Sequence, residues 1–449
     1  VNRLAFGGRT LAAAAVLIAG ACWLSGCSDV AVGPPVCTFP PIGPADGGSP
    51  AAAIDAGAID GAASDAGTPA LACGSPAATS NLFADVLRKT DTQVDDKVDA
   101  AFQSLFHGGD DATVYYPVGD DQAYILDVYD NDVRTEGMSY GMMIAVQLDK
   151  KPEFDRLWTW AKQHMFESSG ALSGYFAWQR MPSGDPISAS TGPAPDGEEY
   201  FATALIFASR RWGDGTGIYD YGSEARALLD VMIHKGEDPA AQAVGVTSMF
   251  DPKQKLVVYV PSSWASFTDP SYVMPAFYDV WACFDTDNTD FWRQVAANSR
   301  AFFPKATHPM TGLAPELASF NGTPSSFGGK GDFRFDAWRV VMNVMADHHY
   351  RGVDPWQTTY AARLATFFAA QGDYGNQYTL AGNQLGAEHS AGLVALNGTL
   401  GFGLDPAAAR CFVQSLWDLP VPTGTYRYYN GLLYMLSLLH ASGHFQLWM

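Results

Sequence analysis

The chain has 449 residues, 47% of them hydrophobic and 13% aromatic, and a formal net charge of -20. So acidic a protein has no basic patch with which to neutralise phosphates, which excludes a nucleic-acid partner. A neutral ligand fits this balance, and sugars, gripped through ring faces and planar polar groups, suit twelve tryptophans and twenty tyrosines.

Arg3 and Arg9 precede the apolar run LAAAAVLIAGACWLSGC. This is the charged-then-apolar layout of a secretory signal, too short for a stable spanning helix. The run ends in Leu24-Ser25-Gly26-Cys27, which resembles the bacterial lipobox. Residues 1–27 are therefore expected to be a lipoprotein signal peptide with Cys27 as the lipidated residue, and Ser28 behind it points to the outer membrane. An ordinary signal peptide or an uncleaved anchor is the alternative. Residues 28–80, dominated by Pro, Ala, Gly, Ser and Asp, cannot bury enough apolar surface to order themselves and read as a flexible tether. Cys37 and Cys73 flank this linker and could pair in an exported protein, whereas Cys283 and Cys411 sit in apolar contexts and read as core. No CxxC pair or HExxH occurs, so zinc is not suggested and no cofactor is expected.

From residue 81 to 449 the composition is globular without a second linker, which makes one large domain. Apolar positions at three- and four-residue spacing mark twelve helices in it, from DTQVDDKVDAAFQSLF to YNGLLYMLSLLHASG. Short pieces such as TVYYPV and KLVVYVP read as minor strands. Twelve helices without alternating strands predict an all-α fold of six helical hairpins closed into a ring.

Acids stand at four loop-to-helix junctions: Glu136 in EGMSYGMM, Asp196 in DGEEYFATALIF, Asp269 in DPSYVMPAFY and Asp336 in DAWRVVMNV. Each has an ordinary reading. Glu136 complements a helix dipole, Asp196 with Glu199 is close to a capping box, and Asp269 before Pro270 is an N-cap. In a toroid, however, the inner helix ends face one side, so these acids can converge on one cleft. Cleavage of a glycosidic bond needs such convergence, with one carboxyl protonated and one ionised. Gly137 and Gly141 would leave room beside the cleft wall.

Five segments in order, TEGMSYGM (135–142), APDGEEYFA (194–202), DPSYVMPAFY (269–278), FRFDAWR (333–339) and YRYYNGLLYMLSLLHASGHF (426–445), together resemble glycoside hydrolase family 8. The resemblance runs from about residue 85 to the C-terminus. It implies an (α/α)6 barrel and an inverting hydrolase. On the matching positions, Glu136 is implied as general acid, Asp336 as general base, and Asp196 as the carboxylate that holds the distorted sugar. Inversion implies catalytic carboxyls about 6.5–9.5 Å apart.

Trp178, Tyr272, Phe335, Tyr428 and Tyr429 are candidate sugar platforms, and Arg339, one turn beyond Asp336, is placed to orient the base or bind a hydroxyl. The segment EHSAGLVALNG looks most like xylan-acting members that release xylose from the reducing end, and there His389 is the candidate reader of the free end. An endo-xylanase or endo-β-1,4-glucanase of the same family is the alternative. Two other classes compete: a non-catalytic glycan-binding surface lipoprotein, and a polysaccharide lyase, which would need a basic cluster around a uronate.

Overall fold

The computed structural model describes residues 73, 80–187 and 192–449. The signal segment, Cys27 and nearly all of the tether lie outside these described residues. Twelve helices dominate: α1 (Asp91–His107), α2 (Thr135–Gln147), α3 (Lys151–His164), α4 (Pro195–Trp212), α5 (Tyr221–His234), α6 (Pro275–Phe284), α7 (Thr289–Ala306), α8 (Phe335–Arg351), α9 (Trp356–Gln371), α10 (Ala391–Gly398), α11 (Pro406–Asp418) and α12 (Arg427–Ser442). All twelve coincide with the helices read from the apolar spacing.

The even-numbered helices form an inner ring. α2 packs on α4, α4 on α6, α6 on α8, α8 on α10, α10 on α12, and α12 closes back onto α2. Each of α3, α5, α7, α9 and α11 packs outside the inner helix it follows, and α1 covers α12. This is an (α/α)6 barrel. Five pairs are sequential hairpins, and the sixth joins the first and last of the twelve. Composition explains the layering. In α2 twelve of thirteen residues are buried and only Glu136 is not, as expected of a helix apolar on all sides. In α3 Phe154, Leu157, Trp158 and Ala161 form a buried face, joined by Thr159 and Trp160, while none of the charged residues is buried.

Inner-to-outer connections are short, whereas outer-to-inner connections are long and carry four two-stranded antiparallel ribbons. These are Tyr115–Val118 with Gln122–Ile125, Val133–Arg134 with Gln179–Arg180, Phe267–Thr268 with Ala318–Ser319, and Gln377–Tyr378 with Gln384–Gly386. The long connections and the inner-helix N-termini therefore share one end of the barrel, the mouth. TVYYPV supplies a strand as expected. KLVVYVP does not: it makes only an isolated bridge, Phe250 to Val257. At the other end the backbone of Gln446 exchanges two hydrogen bonds with the Gln147 side chain, 2.9 and 3.0 Å.

The cysteine expectations need correction. Cys73 is bonded to Cys283, at the C-terminal end of α6, rather than to Cys37. Cys411 is disulfide-bonded as well, so neither Cys283 nor Cys411 is a core thiol. Spacing along the chain could not reveal a bridge across 210 residues. No described helix is long and apolar enough to cross a membrane.

Candidate active site

Glu136, Asp196 and Asp336 are each the second residue of an inner helix, α2, α4 and α8. Helices in a ring that start at the same end bring their second residues to the same depth. None of the three caps its helix: the N-cap positions fall on Arg134, Ala194 and Arg334, none with a side-chain cap bond. The capping-box reading of Asp196 with Glu199 fails. Asp196 Oδ1 accepts from Gly197 N at 3.0 Å, and Glu199 instead accepts from the Tyr278 hydroxyl at 2.7 Å. Asp269 does cap, accepting from Ser271 N at 2.8 Å.

Two glycines permit the convergence. A Cβ on Gly197 would lie 2.4 Å from Thr135 Cβ, so only glycine lets the start of α4 approach α2 and bring Asp196 beside Glu136. A Cβ on Gly137 would lie 2.5 Å from the ring of Tyr428, whose hydroxyl donates to Glu136 Oε1 at 3.0 Å. Gly141 has a different task from the one expected. It faces Ile125 and Leu157 rather than the cleft, and allows close packing there.

The carboxyls share one cation. Arg339 Nη1 donates to Glu136 Oε2 and Asp196 Oδ2, both at 2.8 Å, and to the Tyr140 hydroxyl at 2.9 Å. Nη2 donates to Ser271 Oγ at 2.9 Å and Asp336 Oδ1 at 3.3 Å. The guanidinium thus bridges Glu136 and Asp336, one nitrogen to each. Side-chain exposure falls from 26% for Asp336 to 16% for Glu136 and 7% for Asp196, which leaves Asp336 the most open to water. Burial pushes the Glu136 carboxyl up to about 7; Arg339 opposes this, while Asp196 and Asp336 add to it. Asp196 is raised too, by burial first, with Arg339 working against it. Asp269 is raised well above the ordinary range, by burial and then by the Asp336 charge, and its Oδ2 is buried without a partner.

These groups line a cleft of about 390 Å³ with Trp178, Tyr272 and Arg134. Of the residues anticipated from the sequence, Glu136, Asp196, Asp336, Trp178, Tyr272 and Arg339 meet there. Tyr428 stands behind Glu136, buried and hydrogen-bonded to it. Phe335 is exposed at the rim, and the Tyr429 hydroxyl donates to its carbonyl at 2.9 Å. His389 is exposed outside the cleft lining; its Nδ1–H donates to the Tyr374 carbonyl at 2.8 Å, which leaves Nε2 as the acceptor nitrogen.

Three participants escaped the sequence reading. Tyr259 lines the cleft from the segment taken as a strand. It begins a run of rings leading outward: Tyr272 to Tyr259 with centroids 6.2 Å apart and planes at 17°, and Tyr259 to Phe267 at 5.5 Å and 23°. Phe267 then meets Trp264 and Phe327, both about half exposed. Arg134 is held by Asp127, Asp130 and Asp132 under the ring of Trp178. Lys330 pairs with Asp336 and Glu316. The cleft therefore contains three cations, Arg134, Lys330 and Arg339. Every one is engaged by carboxylates, which is unlike a site built to neutralise a uronate. Among the described residues no group of His, Cys, Asp or Glu is arranged to hold a metal ion.

Residues 125–443 match the sequence profile of glycosyl hydrolases family 8. A reducing-end xylose-releasing exo-oligoxylanase of Paenibacillus barcinonensis is 42% identical over 361 residues, covering 78% of this chain and 92% of its own. The structure of a family 8 catalytic-mutant xylanase of Teredinibacter turnerae in complex with xylohexaose superimposes with a TM-score of 0.78 at 42% identity, covering 82% of this chain and 98% of that one. An endoglucanase of Ruminiclostridium josui is more distant, 30% identical over 70% of this chain and 64% of its own.

Proposed function

Because this chain belongs to glycosyl hydrolase family 8, we propose that its cleft hydrolyses β-1,4-linked xylo-oligosaccharides by single displacement with inversion, releasing xylose from the reducing end. Glu136 donates its proton to the interglycosidic oxygen, Asp336 takes a proton from water on the opposite face, and Asp196 holds the distorted ring. The observation that carries this reading is the shared guanidinium. Arg339 touches all three carboxyls, yet burial leaves Glu136 half-protonated near neutral pH while Asp336 faces two cations and the most solvent. A buried carboxyl whose hold on its proton is strengthened, across from a more open one that faces cations and water, is the arrangement that acid and base catalysis at one bond requires.

Xylan-type substrates are supported by the relatives at about 40% identity, one named for xylose release and one held with xylohexaose. Rings from Tyr272 to Trp264 offer further stacking surface for an oligosaccharide. His389, its Nδ1–H committed to a carbonyl, presents Nε2 as an acceptor for the hydroxyl of a free reducing end. A β-1,4-glucanase is the second reading, supported by the more distant endoglucanase.

A product time course on xylotriose, xylohexaose and xylohexaose reduced to its alditol tests this. Xylose released one unit at a time, and abolished by reduction, is expected. Mixed products insensitive to reduction would mean endo action, and cleavage of cello-oligosaccharides alone would overturn the sugar.

The chain is further proposed to be an exported lipoprotein held to the outer membrane through Cys27. The Cys73–Cys283 bridge supports export, since such bonds persist in oxidising compartments. Metabolic labelling with a palmitate analogue should mark the wild type and spare Cys27→Ala; equal labelling of the two would remove the assignment.

A further inference from the structure

The loop that delivers Asp336 carries a lysine with an unusual pair of neighbours. Lys330 Nζ lies 3.2 Å from Asp336 Oδ2 and 3.4 Å from Glu316 Oε1. Glu316 is buried, with a side chain 7% exposed, so it is a fixed anchor for the ammonium. The backbone is fixed too. Leu317 N donates to the Lys330 carbonyl at 2.9 Å. Gly328 and Gly329, at φ +61° and +76°, take the left-handed turn that folds the loop back over the cleft.

Arg339 cannot serve Asp336 alone. Its contacts with Glu136 and Asp196 are 2.8 Å each, against 3.3 Å for Asp336. Three carboxyls would then share a single cation, and the one held at 3.3 Å is the least firmly placed. Lys330 supplies a second cation on the oxygen of Asp336 that Arg339 does not reach. Resting on the reading of Asp336 as the base, we propose that Lys330 is a positioning residue for hydrolysis: clamped by Glu316, it fixes the orientation of the Asp336 carboxylate toward the attacking water. Burial works against the charge of Lys330, but the carboxylates of Asp336 and Glu316 more than offset it. With both carboxylates engaging its ammonium, its task lies with Asp336 rather than with a sugar hydroxyl.

The test is kcat and KM on xylohexaose for Lys330→Met and Lys330→Arg, each checked for an unchanged melting curve. Lys330→Met should lower kcat by roughly 10- to 100-fold with KM within a few-fold. Lys330→Arg should recover most of the loss. In an Asp336→Ala background, Lys330→Met should add little to the residual rate, since its effect runs through the missing carboxylate. A raised KM with kcat unchanged would make Lys330 a sugar ligand and overturn the proposal, as would fully multiplicative losses in the double variant. If Asp336→Ala alone keeps wild-type turnover, the base assignment itself falls and takes the role of Lys330 with it.

Discussion

Glu136→Gln is expected to lower turnover on unactivated xylo-oligosaccharides by about 10³-fold, within the range a positioned general acid contributes, while the barrel stays folded. The carboxamide is isosteric: its oxygen still accepts from Arg339, and its NH2, in place of the oxygen that accepts from the Tyr428 hydroxyl, donates to that hydroxyl instead. What it lacks is the proton. A substrate with a good leaving group, such as a nitrophenyl xyloside, needs that proton less and should suffer a much smaller loss. The wild type should lose kcat/KM as pH rises past about 7, where Glu136 gives up its proton, and the variant should show no such limb. Stability carries the same signature. The folded value of about 7 exceeds the ordinary 4.5, so between them the folded state binds the extra proton. The contribution of Glu136 is therefore full below about 4.5 and lost as pH rises toward 7. Relative to wild type, the Tm of Glu136→Gln should rise between pH 5 and pH 8. Near-wild-type turnover on xylohexaose would remove Glu136 as the acid.

Arg339→Met should be the most destabilising single change in the cleft. The side chain is only 3% exposed and touches Glu136, Asp196 and Asp336. Removing one partner of a buried ion cluster leaves uncompensated charge and costs about 3–5 kcal/mol. The neighbouring carboxyls then favour protonation, so the folded state binds protons that the unfolded state does not, and the loss deepens as pH rises. A Tm lowered by roughly 5–10 °C at pH 8, with a smaller deficit at pH 5, is the expected result in calorimetry. Turnover should fall with it, because Arg339 is the cation that contacts both Glu136 and Asp336. A Tm within a degree or two of wild type at both pH values would show that the carboxyls neutralise themselves without the arginine.

Much of this was legible along the chain, for local reasons. Helical periodicity is a short-range signal, and all twelve helices were readable from it. Acids at helix starts are local as well, and the ring turns that one-dimensional regularity into a cluster, since second residues of parallel inner helices share one depth. Arg339 was noticed one turn beyond Asp336, but its contacts with Glu136 and Asp196 span 203 and 143 residues.

What only the tertiary structure decided depends on close approach between distant segments. Gly141 and Gly197 look alike in sequence, yet one packs on Ile125 and Leu157 and the other admits Thr135 beside the cleft. Cys73 finds Cys283 because the barrel brings them together, not because of spacing. Lys330 sits in a glycine-rich loop with no periodic signal, and Tyr259 in a segment that looked like a strand; both enter the cleft through loop paths that nothing local encodes. Charge state belongs to the same category. Composition shows an acidic chain, but which carboxyl holds a proton is set by burial and by the cation it faces, and these exist only once the ring has closed.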